Sequence, residues 1–319
     1  MALDVSLVSP PLDARKFRDP LRTAKGEPRA SVGLKALKTL WFNTGTLCNV
    51  ACPHCYIESS PTNDRLVYLT AGEVAAFLDE IETLGLPTEE IGFTGGEPFM
   101  NRELPVMLED SLARGFRVLV LTNAMRPMML RRQELLGLGE LFGDRLVLRV
   151  SLDHYTRQGH DAERGPGAWE RTLEGLLWLE RNGFTVHIAG RTLSGEPHLE
   201  LRRGYARLLA NLGVAIDADD PGRLVLFPEM DARHDVPEIT ERCWDILHRS
   251  PDSVMCATSR MVVKRKGADR PAVVACTLIP QDAGFELGAT LANAASHVHL
   301  NHPHCAKFCV LGGAACSRP

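Results

Sequence analysis

EEIGFTGGEPFMNRELPVMLEDSLARGFRVLVLT, residues 89–122, has the pattern of a strand, a helix and a second strand. The runs EEIGFT and FRVLVLT are short and apolar, and LPVMLEDSLARG between them carries its apolar side chains at helical spacing. A helix that joins two such strands is typical of a parallel sheet, because the chain must cross back before the next strand can run in the same direction.

This strand–helix unit recurs six times from Lys38 to about residue 249. The predicted strands are KTLWFNTG, EEIGFT, FRVLVLT, DRLVLRVSL, FTVHIAG and RLVLFP. The predicted helices are TAGEVAAFLDEIETLG (with Thr70 as its N-cap), LPVMLEDSLARG, MMLRRQELLGLG, AWERTLEGLLWLERNG, HLELRRGYARLLANLG and PEITERCWDILHR. Six units in succession predict an α/β fold, a partial (β/α)6 barrel with a parallel sheet inside and helices outside. The predicted domains are a lead-in over residues 1–37, the barrel over 38–249 and a small cysteine-rich extension over 250–319.

The composition is that of an ordinary globular protein. The 319 residues are 45% hydrophobic and 24% charged, and the net charge of −4 with a pI near 6.3 gives no general attraction to nucleic acid. The N-terminus lacks the apolar segment of a signal peptide, and no apolar run approaches the roughly 18 residues of a membrane span. We expect a cytoplasmic protein with neither nucleic acid nor membrane as partner.

The nine cysteines fall into two groups. Clustered cysteines in a reducing compartment more often hold metal or carry out redox chemistry than form disulfides. The first group is Cys48, Cys52 and Cys55, and the second is Cys243, Cys256, Cys276, Cys305, Cys309 and Cys316. This distribution predicts two separate sites.

The first group, in CNVACPHCY (residues 48–56), has the spacing Cys-x3-Cys-x2-Cys. A [4Fe–4S] cluster has four irons to ligate, so three protein thiolates leave one iron open to a small molecule. The alternative is a structural zinc ion, for which His54 can supply the fourth ligand.

Together with TGGEP (residues 94–98), this loop resembles the radical S-adenosylmethionine (radical SAM) superfamily, over roughly residues 38–230. The resemblance implies that the amino and carboxylate groups of SAM chelate the open iron. Reductive cleavage of SAM then releases methionine and a 5′-deoxyadenosyl radical, which abstracts hydrogen from a substrate. One departure is His54, which stands where the family commonly has an aromatic residue, although Tyr56 follows it.

Unusual polar residues follow the predicted strands, and the strand ends of such a barrel gather at one rim. The resemblance and the chemistry together predict these residues to bind the cofactor: Tyr56, Gly95, Gly96, Glu97, Pro98, Asn123, Ser151, Asp153 and Arg164. The glycines allow backbone close to the ligand, and Glu97 can add a charged acceptor for its amino group. Ser151 and Asp153 can accept from hydroxyl or amino groups, and the charge of Arg164 suits a carboxylate. The alternatives are an ordinary glycine turn, strand-end and capping residues, and solvated arginines, among which Arg191 also counts.

The second group lies around a predicted β-hairpin. RMVVKR and PAVVA flank KGAD and bring Cys256 and Cys276 together, and HPHCAKFCVLGGAACS comes after them. This order resembles the twitch and SPASM extensions over about residues 250–317. The resemblance implies one auxiliary [4Fe–4S] cluster, held by four of the five cysteines Cys256, Cys276, Cys305, Cys309 and Cys316. Cys243 has the pattern of a buried core thiol. The alternative is a structural zinc site assisted by His297, His299, His302 and His304.

These features predict a radical SAM enzyme that acts on a small metabolite or a short peptide by dehydrogenation, crosslinking or epimerisation. From the short lead-in before Lys38 we expect no added peptide-recognition domain, which disfavours a long leader-bearing precursor. We expect an electron donor of the flavodoxin or ferredoxin type, as the family implies. The alternative is a non-catalytic zinc or iron–sulfur module for electron transfer or assembly.

Overall fold

A mostly parallel sheet organises the computed structural model, which describes residues 10–192, 195–228 and 231–312. The first strands are β1 Ser31–Val32, β2 Thr39–Asn43, β3 Glu90–Thr94, β4 Arg117–Thr122, β5 Leu146–Ser151, β6 Thr185–Arg191 and β7 Leu224–Phe227. Strands β2 to β7 pair in parallel with each neighbour in chain order. All six predicted strands are present, and the partial parallel barrel is confirmed.

The helices lie between successive strands on the outer face. They are α1 Ala71–Thr83, α2 Leu104–Ala113, α3 Arg126–Met129, α4 Arg132–Phe142, α5 Arg157–Arg164, α6 Ala168–Arg181, α7 His198–Leu212 and α8 Cys243–Ile246. Helix α1 begins with a capping box, in which the Thr70 hydroxyl accepts from the Glu73 N–H and the Glu73 carboxylate accepts from the Thr70 N–H. The predicted N-cap is therefore confirmed. The single helix predicted over MMLRRQELLGLG is instead divided into α3 and α4.

Apolar side chains are buried on both faces of the sheet. Leu40 and Phe42 on β2 pack toward the helices, whereas Trp41 between them joins the cluster inside the barrel with Leu119 and Val147. Alternate residues of a strand point to opposite faces, so a strand buried on both sides is apolar throughout. The continuous apolar runs of the sequence are a consequence of this double burial.

The predicted helix over PEITERCWDILHR is wrong for most of its length. Only Cys243–Ile246 is helical, and Ile239 lies in extended chain, where its carbonyl accepts from the Ala30 N–H at 2.9 Å. The segment is held by the lead-in, because Arg29 forms an isolated bridge with Thr240 and a buried ion pair with Glu238 at 2.5 Å. A partner distant in sequence thus overrides the local helical pattern.

The C-terminal part adds β8 Ser259–Val263, β9 Ala272–Val274, β10 Glu286–Gly288 and β11 Val298–His299. Strands β8 and β9 form the predicted antiparallel hairpin, which is confirmed. Strand β8 also pairs in parallel with β2, so the hairpin continues the barrel sheet in the order β10-β9-β8-β2-β3-β4-β5-β6-β7. The domain boundary predicted near residue 250 therefore does not interrupt the hydrogen bonding of the sheet.

The lead-in is anchored to the same C-terminal part. Strand β1 pairs antiparallel with β11, and a π-helix spans Cys305–Leu311. Among the described helices, none combines the length and the hydrophobicity that a bilayer crossing requires.

Candidate functional site

The three-cysteine loop follows β2 at the rim of the barrel. Cys48 is buried, and Cys52 and Cys55 are half-buried. The Cys48 N–H donates to the Ser60 carbonyl at 3.0 Å and the Cys55 N–H donates to the Cys52 carbonyl at 3.2 Å, so the loop is fixed by its own backbone. The loop and the neighbouring strand ends enclose a single cavity, lined by Cys48, Val50, Cys52, Cys55, Tyr56, Ile57, Ser59, Thr94, Gly95, Gly96, Leu121, Thr122, Asn123, Ser151, Asp153, Glu163, Arg164 and Arg191.

The glycine pair after β3 crosses directly over the cysteine loop. A Cβ atom at Gly96 would lie 2.1 Å from the Leu47 carbonyl oxygen, and one at Gly95 would lie 2.5 Å from the Gly45 carbonyl oxygen. Gly95 also has φ of +138°, which disfavours any side chain. The pair is therefore required to hold the two loops together, and its backbone borders the cavity.

Glu97 lies behind the cavity wall. Its carboxylate accepts from Phe99 N (3.2 Å), Thr122 Oγ1 (2.8 Å) and Asn123 N (2.8 Å), which ties the end of β3 to the end of β4. Burial raises the pKa of this carboxyl to about 7, although these donors oppose the shift. Neither Glu97 nor Pro98, which begins the next turn, lines the cavity, and their direct contact with a cofactor stays a prediction.

Four further predicted residues and Tyr56 do line the cavity. Asn123 donates from Nδ2 to Asn49 Oδ1 at 2.8 Å, which joins the rim to the cysteine loop. Asp153 accepts two hydrogen bonds from Arg164, at 2.6 and 3.3 Å, in a pair whose side chains are only 6% and 14% exposed. Burial opposes ionisation of Asp153, but Arg164 outweighs it and the pKa of Asp153 lies below its usual value. Both charges are thus present, and Ser151 lies at the end of β5 beside them.

Two contacts between the cysteine loop and the barrel were not predicted from the sequence. His54 Nδ1 lies 2.9 Å from a Glu163 carboxylate oxygen on α5, and Arg191 at the end of β6 donates from Nη1 to the His54 carbonyl at 3.0 Å. The position of Arg191 directly after an apolar strand was the available signal. His54 therefore points to α5 instead of providing a fourth ligand beside the thiols.

The thiols of this loop suit a cationic cluster. Burial raises the pKa of Cys48 to about 12 and also raises that of Cys52, so a thiolate here needs compensating positive charge, which ligated iron supplies. In residues 10–192, 195–228 and 231–312, no three Cys, His, Asp or Glu side chains converge closely enough for one metal ion. The cysteines share a cavity without meeting at one point.

A second cavity, of about 390 Å³ of empty space, lies beside the β8–β9 hairpin. It is lined by four cysteines, Cys256, Cys276, Cys305 and Cys309, and by mainly apolar neighbours, Met255, Leu278, Ile279, Phe285, Val298, Leu300 and His304. Burial raises the pKa of Cys256 to about 11 and that of Cys305 to about 12. Cys276 accepts from the Leu278 N–H at 3.4 Å.

The remaining candidates of this region lie elsewhere. Cys243 does not line the second cavity, and its sulfur accepts from the Thr240 N–H at 3.3 Å. Cys316 lies outside the described residues. His297, His299 and His302 line a neighbouring cleft, and burial lowers the pKa of His302 to about 3.

Comparison with known proteins agrees with this fold. The profile of the Radical SAM superfamily matches residues 42–202, half of the chain, and the match includes the three-cysteine loop and the glycine pair. The chain belongs to the radical SAM superfamily.

Individual relatives differ in what they make. The antilisterial bacteriocin subtilosin biosynthesis protein AlbA of Bacillus subtilis is 26% identical over 260 residues, which cover 76% of this chain and 54% of AlbA. The AdoMet-dependent heme synthase of Oleidesulfovibrio alaskensis is 28% identical over 184 residues, which cover 57% of this chain and 45% of the synthase. The chain thus spans about half the length of these curated relatives.

The fold is shared with a solved structure. Streptococcus suis SuiB bound to its precursor peptide SuiA superposes with a TM-score of 0.58 at 12% identity, over 81% of this chain and 63% of SuiB. At this identity the likeness concerns the fold alone.

Proposed function

We propose that this chain binds a [4Fe–4S] cluster through Cys48, Cys52 and Cys55, cleaves SAM there reductively, and abstracts hydrogen from a small metabolite or a short peptide. The observation that carries the proposal is that these three thiols line one cavity with seven of the nine residues predicted to bind the cofactor, namely Tyr56, Gly95, Gly96, Asn123, Ser151, Asp153 and Arg164. When bound, the cluster and SAM supply one-electron cleavage of a sulfonium and a carbon-centred radical.

The residues of the rim have separate tasks in this proposal. The Gly95–Gly96 backbone accepts from the amino group of SAM. Because this backbone lies close to the cysteine loop, both positions have space only for glycine. Ser151 and Asp153 accept from hydroxyl or amino groups, and Arg164 holds Asp153 ionised and offers its remaining donors to a carboxylate. Glu97 acts indirectly, by holding the ends of β3 and β4 in place.

The second cavity supports an auxiliary [4Fe–4S] cluster ligated by Cys256, Cys276, Cys305 and Cys309. Four thiols and an otherwise largely apolar lining fit a fully ligated cluster, whose potential depends on burial and on hydrogen bonds to sulfur. Cys316 then serves as a ligand only if one of these four does not. An electron donor of the flavodoxin or ferredoxin type completes the proposal.

Two kinds of substrate are favoured by the relatives. AlbA is named for bacteriocin biosynthesis and SuiB was solved with a precursor peptide, whereas the heme synthase is named for a small-molecule product. Dehydrogenation, crosslinking and epimerisation all begin with hydrogen abstraction, and they differ in the later fate of the substrate radical.

Anaerobic reconstitution tests the proposal. We expect about eight irons per chain from two four-iron clusters, and release of 5′-deoxyadenosine on addition of dithionite and SAM. Replacement of Cys48, Cys52 and Cys55 by alanine should halve the iron and abolish that release. The matched control is Cys243→Ala, which removes a thiol outside both cavities and should leave iron and cleavage unchanged.

Two results would contradict parts of the proposal. SAM cleavage that persists in the triple variant would mean that the first loop does not carry the SAM-binding cluster. Full iron content with no cleavage in the parent protein would contradict the proposed reaction itself.

A further inference from the structure

Arg191 lies where two cavities meet. It borders the cavity of the three-cysteine loop, here called the inner cavity, beside Cys52 and Asp153. It also borders a wider cleft on the outside of the rim. The residues of that outer cleft that bear on its charge are Asp153, His154, Tyr155, Glu163, Arg191 and Glu196. Arg164 borders only the inner cavity, whereas Arg191 borders both the inner cavity and the outer cleft.

The guanidinium of Arg191 is only partly used. Its Nη1 donates to the His54 carbonyl at 3.0 Å, and its own backbone N–H donates to the Asp153 carbonyl at 3.0 Å, so the residue is fixed in position. Within the described part of the chain, Nε and Nη2 are shielded from solvent and have no hydrogen-bond partner. Buried donors of a charged group that lack partners cost free energy, and Nε and Nη2 form the edge that binds a two-oxygen anion.

The carboxylates nearby are already engaged. The pairs are Asp153–Arg164, Glu163–His54 and Glu196–His154. Glu196 also accepts from the Tyr155 hydroxyl at 2.8 Å. Among the described residues Arg191 forms no ion pair with any carboxylate, although its charge helps to lower the pKa of Asp153. An anion bound by its unpartnered Nε and Nη2 must therefore come from outside the chain.

We propose that Arg191 binds an oxyanion group of the substrate, a carboxylate or a phosphate, at the junction of the two cavities. This inference rests on the proposed function, in which SAM fills the inner cavity and the substrate approaches from the outer cleft. Arg191 is then a specificity-determining residue: the substrate of this enzyme carries an acidic group near the carbon that loses hydrogen.

The experiment uses crystals of the cluster-loaded enzyme with SAM bound, soaked in selenate as an anomalous oxyanion probe. We expect selenate within hydrogen-bond distance of Arg191 Nε and Nη2, and its loss in Arg191→Met. The matched control is Arg157→Met, which removes an arginine that is 66% exposed on the neighbouring helix α5, and it should retain the selenate. In solution the dissociation constant of SAM should change less than about threefold in Arg191→Met, with iron content unchanged.

The outcomes separate the two proposals. A SAM carboxylate bound to Nε and Nη2 of Arg191, with SAM affinity reduced at least tenfold in Arg191→Met, would make the residue a cofactor ligand and overturn the inference. Absence of selenate from the parent enzyme would also overturn it. Failure of SAM cleavage would instead contradict the proposed function, because the anion site is observed without any turnover.

Discussion

Replacement of Glu97 by glutamine tests how the rim is held together. The glutamate is 1% exposed and its two oxygens accept from three donors. Glutamine has the same shape, but its single carbonyl oxygen cannot replace both carboxylate oxygens. Its NH2 group must face a buried N–H or hydroxyl donor, and a buried donor without an acceptor costs about 1–3 kcal/mol.

The stability difference should depend on pH in a defined direction. The pKa of Glu97 is raised from 4.5 to about 7 in the folded protein. Its contribution to stability is therefore fully present below pH 4.5 and is lost as pH rises through 7. One pKa unit corresponds to about 1.4 kcal/mol, so the loss between pH 5 and pH 8 amounts to about 3 kcal/mol. Glu97→Gln cannot titrate and lacks this component.

Urea unfolding under anaerobic conditions at pH 5, 6, 7 and 8 measures the free energy of unfolding of the parent protein and of Glu97→Gln. The contributions of all other titrating groups cancel in the difference between the two free energies. The parent should be the more stable protein at pH 5, and its advantage should shrink or reverse by pH 8. The control is Glu200→Gln, at an exposed pair on α7, which should give a small difference independent of pH. Parallel pH curves for the parent and Glu97→Gln would refute the assignment of a raised pKa to Glu97.

Three other substitutions test the packing around the site. Gly96→Ala places a Cβ 2.1 Å from a carbonyl oxygen of the cysteine loop and should abolish SAM binding in an equilibrium assay. Gly137→Ala, with open space around it in α4, should instead raise stability by about 0.5–1 kcal/mol. A Gly96→Ala variant that is stabilised as much as Gly137→Ala would contradict the predicted close approach. Glu238→Ala leaves the fully buried Arg29 guanidinium unpaired and should cost about 3–5 kcal/mol in urea unfolding, so a loss under 1 kcal/mol would show that the lead-in is not anchored there. Tyr205→Phe removes a 2.7 Å hydrogen bond from α7 to the end of β5 and should cost about 1 kcal/mol, read as a lower melting temperature; an unchanged value would mean that the bond contributes nothing.

The barrel was predictable because each of its strands is buried on both faces. Val118 and Val120 on β4 pack under the helices while Leu119 packs inside, which leaves a continuous apolar run in the sequence. Helix α5, by contrast, buries only His160 and is otherwise polar, so no apolar period marked it in the sequence. Helix prediction failed over residues 237–242 for the opposite reason, since a helical pattern there is overridden by pairing with the lead-in.

The location of the site was predictable, but the direction of its side chains was not. Parallel strands place their carboxyl ends at one rim, which gathered Cys48, Gly95 and Ser151 as expected. The direction of Glu97 depends on donors from β4, and the pairing of His54 with Glu163 joins residues 109 positions apart. Such pairings depend on rotamers and on tertiary packing, which a single sequence does not specify.

The hydrogen bonds between β8 and β2 have a mechanical consequence. The loop that carries Cys48 leaves from β2, and the hairpin that begins beside Cys256 shares a continuous backbone ladder with that strand. This ladder lies entirely in the described part of the chain, and no hinge along it separates the two thiol-lined cavities. The distance between the cavities is therefore fixed by the hydrogen bonds between neighbouring strands. Electron tunnelling between clusters bound in the two cavities would then have a rate set by a constant distance. Domain motion would not change that rate.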